Sequence, residues 1–184
     1  VPYTATLAMV ASASMAGVPL MNGFLSKEMF FAETVFITSS AWVEAMLPVI
    51  ATLAGTFSVA YALRFTVDVF FGPTAQDLPH TPHEPPRWMR APVELLVLTC
   101  LVVGIFPAQS VGPLLAAAAL PVVGGTLPEY SLAIWHGWNA PLIMSLVAMS
   151  GGVVLYLLLR KQLRRGRFPC LSLIHISEPT RQEA

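Results

Sequence analysis

From Ala91 to Leu159 the only charged residues are Glu94 and Glu129, and the runs around them are long enough to form whole helices with no ionisable group. Nothing constrains this chain more. A chain of that kind is stable where hydrocarbon surrounds it, and there each backbone N–H and C=O must find its partner within the protein. Helices meet that demand segment by segment, so the expected fold class is an all-α membrane protein. Composition agrees, with 55% apolar residues, 11% charged and a mean hydropathy of +0.69. Soluble domains carry about a quarter charged residues. Five of the ten basic residues fall between Arg160 and Arg167, so the zero net charge says less than where the charges sit.

About four spans are expected, near residues 4–38, 45–70, 91–107 and 141–160. The first is too long for one crossing. At roughly 1.5 Å per residue it exceeds the ~30 Å hydrocarbon layer. Gly17, Pro19 and Gly23 interrupt it, and proline both removes a donor and clashes with the preceding turn. The first span is therefore expected to be a discontinuous helix whose break lies within the membrane. Ala8, Ser12 and Ala16 recur every four residues before the break, a row of small side chains that suits close helix contact in lipid. Between the second and third spans, Pro73, Pro79, Pro82, Pro85 and Pro86 make a stiff, solvated connector. The uncharged stretch 108–127 carries Pro113, Pro121, Gly124 and Gly125, and reads as a partly helical hairpin at the interface.

Arg160, Lys161, Arg164 and Arg165 close the last span. Lys and Arg stay on the cytoplasmic side, which puts that end and the loop with Arg87 and Arg90 in the cytoplasm of a bacterium and residues 108–139 outside its inner membrane. Trp135, Trp138 and Tyr130 then form an outer aromatic belt, and Trp88 an inner one. The chain starts at Val1 without an initiator Met and reads as part of a longer protein, with residues 1–168 forming the C-terminal part of a transmembrane domain. The stretch LSLIHISEPTRQEA (171–184) breaks every preceding pattern and resembles translated adapter sequence, so 169–184 is taken as a non-native tail.

No nucleotide or zinc motif occurs, and Cys100 and Cys170 make neither a disulfide framework nor a metal-ligand spacing. His80, His83 and Glu84 lack a further ligand, so no metal site and no cofactor are expected. His136 beside the two tryptophans reads as an interfacial anchor. Nothing points to nucleic acid; the expected partners are lipid and other membrane subunits.

Lys27 is the outstanding residue. An ammonium inside a membrane segment costs at least ~2.5 kcal/mol and must face protein or water. With Ser26 as N-cap of the second half-helix, Lys27 falls in the first turn, against the positive end of the dipole. Burial and that dipole both oppose the ammonium form, which suits a group that exchanges protons, and Glu28 beside it offsets part of the effect. The alternative is a lysine that snorkels to the interface. Arg64 and Asp68 stand one helical turn apart and can pair, either as a structural pair or within an ion-entry region. Glu33 is either an outward-side proton acceptor or an interface residue.

Residues 17–28, Gly-x-Pro-x-x-x-Gly-Phe-x-Ser-Lys-Glu, resemble the discontinuous twelfth helix of the antiporter-like subunits, a superfamily of large Mrp-type cation/proton antiporter subunits and membrane subunits of respiratory complex I. The stretches ALRFTVDVFFGP (62–73), PHEPPRWMRAP (82–92) and IWHGWNAPL (134–142) are similar to the A-type large subunit of Mrp (Mnh or Pha) antiporters, and the likeness runs to about residue 168. The resemblance implies a non-enzymatic component of a secondary transporter that exchanges protons for Na⁺ or K⁺ and serves pH homeostasis, with Lys27 at the last step of proton transfer. Ser26, Glu28 and the break at Gly17, Pro19 and Gly23 are its setting. The alternative is a proton-pumping membrane subunit of complex I or of a membrane hydrogenase.

Overall fold

The computed structural model describes residues 1–72, 83–127, 132–133, 135 and 137–164, and every regular element among them is a helix. His80, Glu129, Tyr130, His136, Arg165, Cys170 and the 169–184 tail lie outside the described residues. The expectations attached to them end there. The elements are α1 (Pro2–Ala16), α2 (Asn22–Phe36), α3 (Ala41–Phe70), α4 (Arg87–Ile105), α5 (Pro107–Ser110), α6 (Gly112–Val123) and α7 (Ala140–Arg164). By length and composition α3, α4 and the Ala140–Gln162 part of α7 can each cross a membrane.

Helices α1 and α2 have 15 residues each, about 22 Å apiece at 1.5 Å per residue. Neither is long enough to span alone, and the two are joined by a short turn at residues 17–21. Helix α6 has 12 residues, roughly 18 Å, and is likewise too short. Among the described residues the fold is thus an all-α bundle with three helices long and apolar enough to cross a membrane, two half-length helices joined by a turn, and a shorter apolar helix.

Small residues decide how the bundle closes. Helices α3 and α7 run parallel: Gly55 packs on Ala148, Thr56 on Gly151 and Val59 on Gly152. Within lipid, tail hydrocarbon is as apolar as a side chain, so close packing of small residues and interhelical hydrogen bonds replace the hydrophobic effect as the attraction. Phe31 of α2, 1% exposed, fills the space beside Ala51 and Ala148. Helix α1 runs antiparallel to α3. Ala16 packs with Val59 and Ala62, and Ser12 donates to the Ala62 carbonyl at 3.0 Å. Two of the three residues of the small-residue row, Ser12 and Ala16, are therefore buried against α3.

These contacts set the height of the break. The end of α1 meets Ser58 and Val59, within about four residues of the middle of α3, or some 6 Å along the axis. The interruption thus falls level with the middle of α3. They also gather Arg64, Asp68, Arg160 and Lys161 at one end of the bundle. Arg90 joins them there, because its guanidinium lies 5.0 Å over the Tyr3 ring at the start of α1.

Candidate functional site

In hydrocarbon the last four carbonyls of a helix have neither an intrahelical partner nor water. For α1 these belong to Ala13, Ser14, Met15 and Ala16, and each is bonded. Val18 N–H donates to Ala13 O at 3.1 Å and Gly17 N–H to Ser14 O at 3.0 Å. That pair of bonds is a Schellman closure, and it requires Gly17 to adopt φ 80, ψ 41. The Ser58 hydroxyl, from α3, donates to Met15 O at 3.0 Å. The Lys27 ammonium donates to Ala16 O at 2.8 Å.

Lys27 thus closes the end of the preceding half-helix. Its Nζ, Cε and Cδ lie over Gly17 so closely that a Cβ there would meet them at 3.0–3.2 Å. Pro19 follows in the turn, and Leu20 takes φ 70, a left-handed conformation that costs a residue with a Cβ about 1–2 kcal/mol.

Three expectations are corrected here. Ser26 is not the N-cap of the second half-helix. Helix α2 begins at Asn22 with Met21 as N-cap and no capping side chain of its own. Ser26 is its fifth residue, on the exposed side. The capping bond comes instead from α1, where the Ser14 hydroxyl oxygen accepts from Gly23 N–H at 3.3 Å. Lys27 is accordingly the sixth residue of α2, beyond the first turn, and its side chain reaches back to the negative end of the α1 dipole. The dipole that matters favours the cation. Gly23, finally, lies inside α2, where a Cβ would run into the Ser14 backbone. It permits a close approach, while Gly17 and Pro19 make the break.

Around this centre, Glu28 is buried at 6% exposure and Glu33 is exposed. The other flank of the break carries polar groups that sequence reasoning passed over. The Ser14 hydroxyl donates to Asn22 Oδ1 at 2.6 Å, and the Cys100 thiol of α4 donates to the same oxygen at 2.9 Å. Beside it lies a cavity of about 270 Å³ lined by Val10, Ser14, Asn22, Val97 and Cys100 among others. Gly104, buried in α4, takes the Leu20–Met21 backbone against it.

Comparison with known proteins bears on what such a site serves. A protein of Rhizobium meliloti (strain 1021) described as the probable A/B subunit of a K⁺/H⁺ antiporter is 62% identical over 162 residues, which are 88% of this chain and 16% of that protein. The A-type subunit of the Na⁺/H⁺ antiporter from Alkalihalophilus pseudofirmus is 33% identical over 172 residues, 86% of this chain and 21% of that one. Among solved structures, the Mrp complex from Dietzia sp. DQ12-45-1b matches with a TM-score of 0.69 at 30% identity, over 90% of this chain and 18% of the matched one. The chain is homologous to the A-type subunits of Mrp antiporters. It spans about a fifth or less of the length of these curated relatives. No family model matches it.

The remaining candidates lie apart from the break. Arg64 and Asp68 pair at 3.6 Å on the exposed surface of α3, with side chains 48% and 36% exposed; pairs so open contribute about 0–1 kcal/mol. Glu84 caps α1 from a distance. Its carboxylate accepts from Tyr3 N–H at 2.9 Å and from the Thr4 hydroxyl at 2.6 Å. The Thr4 hydroxyl bond above all, helped by the Tyr3 and Thr4 amides, holds the Glu84 carboxyl below its usual range.

Proposed function

We propose that this segment forms part of the proton path in a multicomponent Na⁺/H⁺ or K⁺/H⁺ antiporter, with Lys27 accepting and releasing the proton at the break between α1 and α2. One observation carries the reading: the Lys27 amine lies at a helix break level with the middle of α3, half-buried, on a single carbonyl 2.8 Å away. A donor of that kind keeps its bond as ammonium or as amine, because both forms have N–H groups. Its proton content can therefore change without loss of the contact that holds it. Moving one elementary charge through 100 mV carries ~2.3 kcal/mol, enough to couple a proton step to cation movement.

The proposal extends to setting and partners. The chain is a non-enzymatic transporter component in the inner membrane of a bacterium, with other antiporter subunits around it and Na⁺ or K⁺ and H⁺ as cargo. The names borne by its relatives support this, as does the complex to which its fold is similar. Arg64, Arg87, Arg90, Arg160 and Lys161 mark one end of the bundle, which the positive-inside rule assigns to the cytoplasm. Glu28 and Ser26 set the environment of Lys27. Glu33, Arg64 and Asp68 lie on the approaches.

The test is Lys27→Ala in the full-length protein within its intact complex. Cation-driven collapse of ΔpH in membrane vesicles and growth at high Na⁺ should both fail, while the complex still assembles. Wild-type exchange by that variant would remove Lys27 from the path.

A further inference from the structure

At the end of α1, Ser58 behaves unlike its neighbours. Three hydroxyls of α3 and α7 bond back into their own helix: Thr52 donates to Pro48 O, Thr56 to Thr52 O and Ser150 to Leu146 O, each four residues back. That is the ordinary fate of Ser and Thr in a helix. The Ser58 hydroxyl instead crosses to α1 and donates to Met15 O, the carbonyl next to the one that holds Lys27.

An ammonium has three N–H donors. At a bare helix end it would meet several free carbonyls at the negative end of a dipole, and multiple bonds of that kind hold a cation firmly. Here three of the four carbonyls already have partners: Val18 N–H, Gly17 N–H and the Ser58 hydroxyl. Only Ala16 O remains for Lys27. The lysine is fixed in place by one bond, and its other N–H positions are not spent on α1.

We propose that Ser58 is a positioning residue for the Lys27 proton, which it serves by occupying the Met15 carbonyl and so restricting the lysine to one acceptor on α1. The inference rests on the reading of Lys27 as the proton carrier. Without the hydroxyl, Met15 O is left at the end of α1 with no partner, and a helix-end carbonyl in that state draws in the nearest donor. Lys27 is that donor, since its terminal atoms already lie over Gly17. A second bond strengthens its hold on the proton and slows release.

The experiment places Ser58→Ala, Ser58→Thr, Ser58→Cys and Lys27→Ala in the full-length protein of the intact complex. Proton–cation exchange in vesicles is normalised to the amount of complex in the membrane. Ser58→Ala should lower the exchange rate on the order of tenfold, the effect of one hydrogen bond's worth of free energy on a barrier. Ser58→Thr, which keeps the hydroxyl, should remain near wild type, and Ser58→Cys, a weaker donor, should fall between. A residue that matters only for packing gives the opposite order, because Ala fits wherever Ser does and Thr is larger.

If Ser58→Ala exchanges normally while Lys27→Ala is dead, the Ser58 inference falls and the Lys27 reading stands. Failure of Ser58→Thr to match wild type also overturns the inference. Normal exchange by Lys27→Ala removes both. If Ser58→Ala does not assemble, Ser58→Cys decides: a rate equal to wild type refutes a role for the donor, and a reduced rate with normal assembly supports it.

Discussion

Replacing Gly17 by alanine tests the geometry of the break most directly, because two separate costs follow from one methyl group. The first is conformational. Gly17 sits at φ 80, ψ 41, where an L-residue with a Cβ pays about 1–2 kcal/mol. The second is steric. The new Cβ would stand 3.0 Å from Lys27 Nζ and 3.2 Å from its Cδ and Cε, so the lysine must give by a few tenths of an ångström. A lysine tip moves easily, so this shift adds little strain. It does stretch a 2.8 Å bond of the charged kind that contributes about 1.5–3 kcal/mol when fully made.

Stability should therefore fall by about 1–2 kcal/mol from the backbone alone, seen as a lower melting temperature of the purified complex. Exchange should fall as well, since the lysine is displaced from its acceptor. Gly17→Asn separates the two effects, because asparagine tolerates the left-handed region but still carries a Cβ. It should recover most of the stability and little of the exchange. A Gly17→Ala complex with unchanged melting temperature and unchanged exchange would refute the assignment of Gly17 to both roles.

Further outcomes follow from other contacts. Lys27→Arg keeps a donor for Ala16 O but never loses its charge, so the complex should assemble with α1 still capped while exchange is abolished; vesicle assays and the yield of complex read the two parts. Gly23→Ala sets a methyl against the Ser14 backbone, which cannot swing aside as a side chain would, and should lower the amount of assembled complex measured in membranes. For Glu84 the folded carboxyl titrates below its usual value, so its tie to α1 is fully present above the unfolded value of about 4.3 and is lost as pH falls through the lower, folded one. Hydrogen-exchange protection of the Tyr3 and Thr4 amides should accordingly stay level between neutrality and about pH 5 and drop only in stronger acid, and Glu84→Ala should remove it at every pH.

Much of this architecture is legible in the chain alone. Charge-free runs of helical length admit few folds in lipid, and the all-α bundle follows from that. The interruption of the first span is equally legible. Pro19 has no N–H to give, and Gly17 supplies the left-handed turn that ends α1. Arg64 and Asp68 pair because a helix places residues four apart on one face. Each of these conclusions depends on covalent structure or on a single helix, which a sequence contains in full.

What the sequence could not contain is which donor meets which carbonyl across the break. Ser26 has the composition of a cap and does not cap, because α2 starts four residues earlier and takes its bond from Ser14. Nothing local distinguishes Ser58 from Thr56: both are hydroxyls in one apolar helix, and only the approach of α1 lets one of them reach outward. Lys27 is the sharpest case. Its position in the chain pointed toward the positive end of α2, yet its long, flexible side chain crosses back to the negative end of α1. The sequence by itself determined that a charge stands at a broken helix. The packing of α1 on α3, which sets where four carbonyls end and who reaches them, decided what that charge is bonded to.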